Sequence, residues 1–216
     1  MNYGGDDSVL ELIKAGGWLM APILACSLAA ATIIIERLLA LRRARVLPTQ
    51  LLATLDRWLE RGAVDAREVE ALPLHSPLGR IVAAGLATRG RNREILRERV
   101  EDTGRHVAHE LERFLNALGT IAAISPLLGL LGTVAGMIKI FQIVSTQGNS
   151  NFSLLSVGIA EALVTTAAGL TVAIPSLLFY RYFNARVDEL VVRMEQETLQ
   201  LVDLLDAETG GKEPSS

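Results

Sequence analysis

The residue with the clearest chemical potential is Glu161, the one carboxylate in the apolar run SLLSVGIAEALVTTAAGLTVAIPSLLFY, from Ser153 to Tyr180. An acid inside a membrane span costs on the order of ~2.5–3.5 kcal/mol on insertion scales, so it is expected to face a protein interior or a pore. Thr165 lies one helical turn beyond it. Thr166 lies five residues beyond, so its direction differs by roughly 140° in an ideal helix. Either the helix departs from ideality or Glu161 and Thr166 address different neighbours. A hydroxyl at either threonine can line a polar path or bond the carbonyl four residues back.

A second apolar run, LGTIAAISPLLGLLGTVAGMIKIF from Leu118 to Phe141, precedes it. Ser125, Gly129, Gly132, Thr133 and Gly136 fall on one helical face, a pattern suited to close helix packing in membranes. Pro126 and Pro175 each remove a backbone hydrogen bond and are expected to kink their helices near one end. The carbonyls they free could bind water in a pore. Lys139 closes the first of these runs and reads as a lysine snorkelling to the interface. His106 and His109, with Glu110 beside them, could form a surface metal site, but a solvated charged helix face is the expectation. No metal site is assigned.

Three stretches must position these groups. Trp18 to Ile35 spans about 18 apolar residues, at the lower limit for a crossing, and is lengthened to Leu41 if Glu36 and Arg37 sit at the interface. From Phe114 to Ile138 no charge occurs over about 25 residues. At about 1.5 Å per residue, Thr133 lies roughly 21 Å from Gly119, while Glu161 and Thr166 lie roughly 9 and 16 Å from Leu155. With the two helices antiparallel, all three fall in one slab at or just outside the membrane centre.

Charge sets the expected topology. The segment from Glu36 to Arg113 holds 15 of the 21 Lys and Arg residues, and the link Ser145 to Ser153 holds none. By the positive-inside rule, residues 1–17 form an external N-terminal segment and 18–41 the first span. Residues 42–117 form a cytoplasmic helical region, 118–144 the second span and 145–154 an external loop. Residues 155–180 form the third span and 181–216 a cytoplasmic helix and tail. Leu51, Leu52, Leu55, Trp58 and Leu59 form a one-sided stripe, ended by Gly62. Leu72 to Gly79 reads as a turn cluster. Asn92 to Phe114 reads as a helix running unbroken into the second span. Leu190, Met194, Leu201 and Leu205 extend the third span as an amphipathic helix.

The 216 residues are 50% hydrophobic, with mean hydropathy +0.34 and formal charge −3. A single cysteine, Cys26, excludes an internal disulfide or a cysteine metal cluster. Aromatic residues are too few for a nucleic-acid stacking platform. There is no Gly-rich phosphate loop and no recognisable nucleophile–base context, so an enzyme is not expected.

The blocks SPLLGLLGTVAGMI and GIAEALVTTAAGLTVAIP resemble the two signature helices of the ExbB/TolQ/MotA family of ion-driven inner-membrane motors, and most closely ExbB. The match runs from about Ile124 to Pro175. MotA-type members, with four crossings, are less similar. The resemblance implies an all-α, three-span subunit with long cytoplasmic helix extensions, assembling as a ring, in the inner membrane of a Gram-negative bacterium. It implies a homopentamer around an ExbD-like single-span partner with a transmembrane aspartate, docking to a TonB-like protein and energising transport across the outer membrane. It places Thr133 and Thr166 on the proton path, with Glu161 tuning the field or ordering water there. Protons are the coupling ion and no other cofactor is implied. A TolQ-like role in envelope integrity and a passive scaffold clamping a partner helix are the alternatives. The cytoplasmic arginines could also meet anionic lipid headgroups.

Overall fold

A computed structural model describes residues 17–64, 69, 75–147 and 152–210. Most of segment 1–17, residues 148–151 of the expected loop, Leu72 to Leu74 and the end beyond Gly210 lie outside the described residues. Among the described residues there is no strand. The helices are α1 (Met20–Ala40), α2 (Arg43–Val46), α3 (Thr49–Arg61), α4 (Pro77–Ala87), α5 (Arg93–Leu111), α6 (Leu115–Gln147) and α7 (Phe152–Gly210). Three helical stretches, those holding α1, α6 and α7, are long and apolar enough to cross a membrane. The fold is all-α with three candidate spans.

The chain divides into two compact units. The first takes Met1–Ile35 and Phe114–Arg181. Its core is the pairing of α6 with the α7 stretch up to Arg181. The buried positions of α6 include Leu115, Leu118, Ala122, Ser125, Gly129, Gly132, Gly136 and Ile140; those of α7 include Gly158, Ala162, Thr165, Gly169, Ala173 and Ser176. The spacing of three and four residues keeps each set on one helical stripe. A Cβ added to Gly129, Gly132 or Gly136 would meet Thr166, Thr165 or Ala162, in that order. As one number rises the other falls, which fixes an antiparallel register. The small face read from the sequence is a packing face.

Both prolines lie inside continuous helices, Pro126 in α6 and Pro175 in α7. Each has a buried serine next to it. Ser125 Oγ donates to the Ile121 carbonyl at 2.8 Å and Ser176 Oγ to the Val172 carbonyl at 2.7 Å. These hydroxyls bond carbonyls one residue away from those of Ala122 and Thr171, which the prolines leave without a helical N–H donor.

The second unit takes Glu36–Arg113 and Tyr182–Ser216. Leu51, Leu55 and Trp58 bury the stripe of α3, and Gly62, at φ +64°, ends that helix in the left-handed conformation. Residues Pro77 to Gly79 are the first turn of α4 rather than part of a free turn: Ser76 Oγ accepts from the Gly79 N–H at 3.0 Å, and Pro77 opens the helix. Gly85 of α4 meets Val100 of α5 and Leu201 and Leu205 of α7. Phe183, Val187, Leu190, Met194, Leu201 and Leu205 are buried along α7, so the amphipathic stripe predicted beyond the third span exists and begins earlier.

The helix read as unbroken from Asn92 into the second apolar run is interrupted. α5 ends at Leu111, Phe114 adopts φ +65°, and α6 starts at Leu115. A left-handed non-glycine residue is disfavoured by roughly 1–2 kcal/mol. Arg37 supplies the compensation. Its side chain, 5% exposed, donates to the Leu111 carbonyl at 3.0 Å and the Glu110 carbonyl at 3.4 Å. It also pairs with the Glu36 carboxylate. A guanidinium at a helix C-terminus satisfies orphan carbonyls and complements the dipole. Arg37, read as an interface charge, is a buried cap.

The two units answer differently to an added methyl. A Cβ at Gly169 would lie 2.5 Å from the Ser125 carbonyl oxygen, whereas one at Gly104 meets nothing within 4 Å. Gly169→Ala is expected to cost about 1–3 kcal/mol by overpacking. Gly104→Ala is expected to stabilise by roughly 0.4–1 kcal/mol through chain entropy. Thermal unfolding of the full chain in detergent reads both.

Ionisation adds a pH-dependent contribution. Burial, and then the nearby Asp56, push Glu197 above the ordinary carboxylate range against the pull of Arg193. A raised acid adds stability that is full below its unfolded value and is lost as pH rises through its folded value. Glu197→Gln is therefore expected to raise the melting temperature at neutral pH and flatten its decline above the ordinary carboxylate range. An unchanged slope in melts across that range would contradict this.

Candidate functional site

The candidate polar groups Thr133, Glu161, Thr165 and Thr166 of the first unit lie at the seam between α6 and α7. Close approach at the glycines brings them together, since no side chain separates the two backbones there. Thr166 Oγ1 crosses the seam and donates to the Gly129 carbonyl at 2.8 Å. Thr165, 1% exposed, fills the space over Gly132 and donates back to the Glu161 carbonyl at 2.7 Å. Thr133 sits at the same level on a half-exposed face and donates to the Leu130 carbonyl at 2.7 Å. The three hydroxyls thus lie at one depth. Each has used its proton on a carbonyl and retains acceptor lone pairs.

Glu161 and Thr166 do address different neighbours. Glu161 Oε2 accepts from Lys139 Nζ at 2.9 Å, across the same pair of helices. Its other oxygen faces the turn that precedes α1: a Cβ at Gly17 would lie 2.2 Å from Oε1. Gly17 has φ +69°, and its carbonyl accepts from the Met20 N–H. Trp18 and Leu19 join Gly132, Ala135, Gly136, Lys139 and Glu161 around a cavity of about 130 Å³, room for several waters beside two charged groups.

Lys139, read as a snorkelling lysine, is the partner of the acid. The structure thus sets an ammonium against the carboxylate. Gly17 was missed altogether. The signal for Lys139 was a lone cation at the end of one apolar run facing a lone acid in the next. An antiparallel register, counted back from the loop, pairs them. Nothing in the sequence pointed to Gly17.

The histidines are not drawn into such a site. Glu110, beside them, is engaged by Arg80 at 2.5 and 3.1 Å, which holds its carboxyl below the ordinary range, and His106 lies 4.0 Å from Asp102. Among the described residues no three His, Cys, Asp or Glu side chains converge as metal ligands.

Comparison with known proteins places this seam. The model of the MotA/TolQ/ExbB proton channel family matches residues 74–196. The chain belongs to this family. The biopolymer transport protein ExbB-like 1 of Synechocystis is 36% identical over 177 residues, covering 80% of this chain and 69% of its own. ExbB-like 3 of the same organism is 34% identical over 194 residues, covering 87% and 90%. The Tol-Pal system protein TolQ of Pseudomonas aeruginosa is 40% identical over 84 residues, covering 39% of this chain and 36% of its own. All of α6 and the polar part of α7 lie inside the region matched to the proton channel family, so the chain is a membrane protein of that class. Gly17 to Leu19 lie outside the matched region.

The approach of Gly17 to the acid is directly testable. Gly17→Ala adds a carbon 2.2 Å from Glu161 Oε1 at a backbone angle that disfavours a side chain. It is expected to lower stability by about 1–2 kcal/mol, measured as a lower melting temperature in detergent. Gly62→Ala has the same backbone penalty but nothing within 4 Å of the added carbon, and should cost less.

Proposed function

We propose that this chain is an ExbB-like subunit of a proton-motive-force-driven motor in the inner membrane of a Gram-negative bacterium. Five copies form a ring around a single-span partner carrying a transmembrane aspartate, and a TonB-like protein carries the motion to outer-membrane transport. The observation that supports this best is the seam itself. Two apolar helices long enough to cross a membrane hold three hydroxyls at one level and, about one to two helical turns further along the same seam, a charged pair. Polar groups at that depth are costly and point to an ion route.

In this reading Thr133 and Thr166 are the walls of the proton route, each offering lone pairs to water. Thr165, enclosed between the helices, supports Glu161 from behind. The coupling ion is the proton, and the hydroxyls do not titrate near neutral pH, so the titrating carrier is the partner's aspartate. Residues 1–17 and 145–154 face the periplasm; residues 42–117 and 181–216 face the cytoplasm, where Arg42, Arg43 and Arg45, all exposed, meet anionic headgroups. A TolQ-like role in envelope integrity is the second reading. It is favoured by the TolQ relative, whose identity over its matched segment is as high as that of the ExbB relatives.

The test uses a strain lacking its own subunit, with membrane levels checked. Wild-type chain is expected to restore energised siderophore uptake. Thr133→Val and Thr166→Val keep shape, remove a hydroxyl, and are expected to abolish uptake without loss of assembly. Restoration of outer-membrane integrity but not of uptake would favour the TolQ-like role. Full activity of both valine variants would remove the threonines from the route. A cysteine at position 149 should label from outside intact inner membranes and one at 91 should not; the reverse would overturn the orientation.

A further inference from the structure

We infer that Lys139 is a positioning residue for Glu161: the two work as one charge-compensated unit, closed over by the Gly17–Leu19 turn. The inference rests on the proposed proton route. Three observations carry it. The ammonium and carboxylate are 2.9 Å apart on different helices. The two oxygens of the carboxylate have different surroundings, Oε2 against Lys139 and Oε1 against Gly17. The pair, with Trp18 and Leu19, lines a cavity of about 130 Å³ adjoining Gly132, the glycine covered by Thr165.

The physics follows from the low-polarity setting. A lone charge within a span is expensive, and a paired one much less so. Removing either partner therefore strands the other, whereas removing both does not. With Lys139 in place, Oε2 is held and Oε1 stays against Gly17, at the edge of the cavity that Glu161 lines. Without it, the carboxylate is free to rotate toward other donors, and the alignment with the threonine level is lost. Replacing Glu161 alone by leucine would be an ambiguous test, because that change also leaves Lys139 unpaired. A scaffold with no ion movement would fail in the same way.

The experiment is a double-mutant cycle on the full chain, expressed with its partners in the deletion strain. The variants are Lys139→Met, Glu161→Gln, the combination of the two, and Lys139→Arg. Melting temperature of the purified assembly reports the pairing. Restored uptake or restored outer-membrane integrity, whichever the wild-type chain supports, reports the positioning and is normalised to membrane level. Each single neutral variant is expected to melt lower than wild type, and the double to recover most of the loss. Lys139→Met is expected to lower activity about tenfold or more, and Lys139→Arg, which keeps the charge, to retain most of it. Additive effects on melting would overturn the inference, since the charges would then not be paired. Coupled melting with normal activity of Lys139→Met would also overturn it, leaving a purely structural ion pair. If wild-type chain restores neither process, the proposed function fails and the inference falls with it. Failure of the inference alone shows as an active wild-type chain with one of the two contrary patterns.

Discussion

Contact between the backbones of α6 and α7 is the constraint on which the first unit depends. At Gly169 the helices are so near that a single added carbon would lie 2.5 Å from the Ser125 carbonyl oxygen. Helices gain no hydrophobic driving force from lipid, so their association relies on packing and on hydrogen bonds between them. Small residues supply the first, and at this separation a side chain as short as threonine supplies the second, as Thr166 does to Gly129. The same contact brings the lysine of one helix and the acid of the other within reach. Larger residues along this stripe would separate the helices and undo all of these bonds together.

The second unit solves a different problem, that of ending a helix, α5. A proline or glycine would end α5 locally, but the residue at the break is Phe114. The termination is instead completed from far along the chain by a buried arginine on α1, 74 residues from the carbonyl it satisfies. A guanidinium this buried is tolerable because its donors are met by the Leu111 and Glu110 carbonyls and the Glu36 carboxylate. Elsewhere in this unit, ion pairs such as Arg80–Glu110 and Arg93 with Asp203 and Asp206 lie on exposed surface, where each contributes little. The apolar stripes of α3, α4, α5 and α7 therefore carry the packing of this unit.

Much of this was legible in the sequence because it depends on local pattern. The glycine and serine spacing of α6 announced a packing face, the apolar stripe ended by Gly62 marked α3, and the α7 stripe could be followed to Leu205. What was not legible depends on distance. An aromatic residue in the left-handed region leaves no compositional trace, and its compensating arginine lies in another helix. Lys139 and Glu161 are 22 residues apart on different helices, so each looked like an isolated charge with its own explanation. Gly17 belongs to a segment with no periodicity. Its requirement for glycine comes from a left-handed backbone angle, and the carboxylate packed against it lies far away in the chain.

The hydroxyls show why packing and conduction need not be competing explanations for the same residue. A threonine that donates to a carbonyl is fixed in orientation, which serves packing. Its oxygen still presents lone pairs, which serve water. What such a residue cannot do is release a proton near neutral pH. In the proposed function, the seam's hydroxyls, each donating to a carbonyl, and the acid, held by its lysine, would form an ordered wall of acceptors rather than a relay. A proton crossing at that level needs a group that gains and loses it. In the proposed assembly that group comes from the enclosed partner helix, and the rigidity of the α6–α7 contact keeps the wall in place as the partner moves.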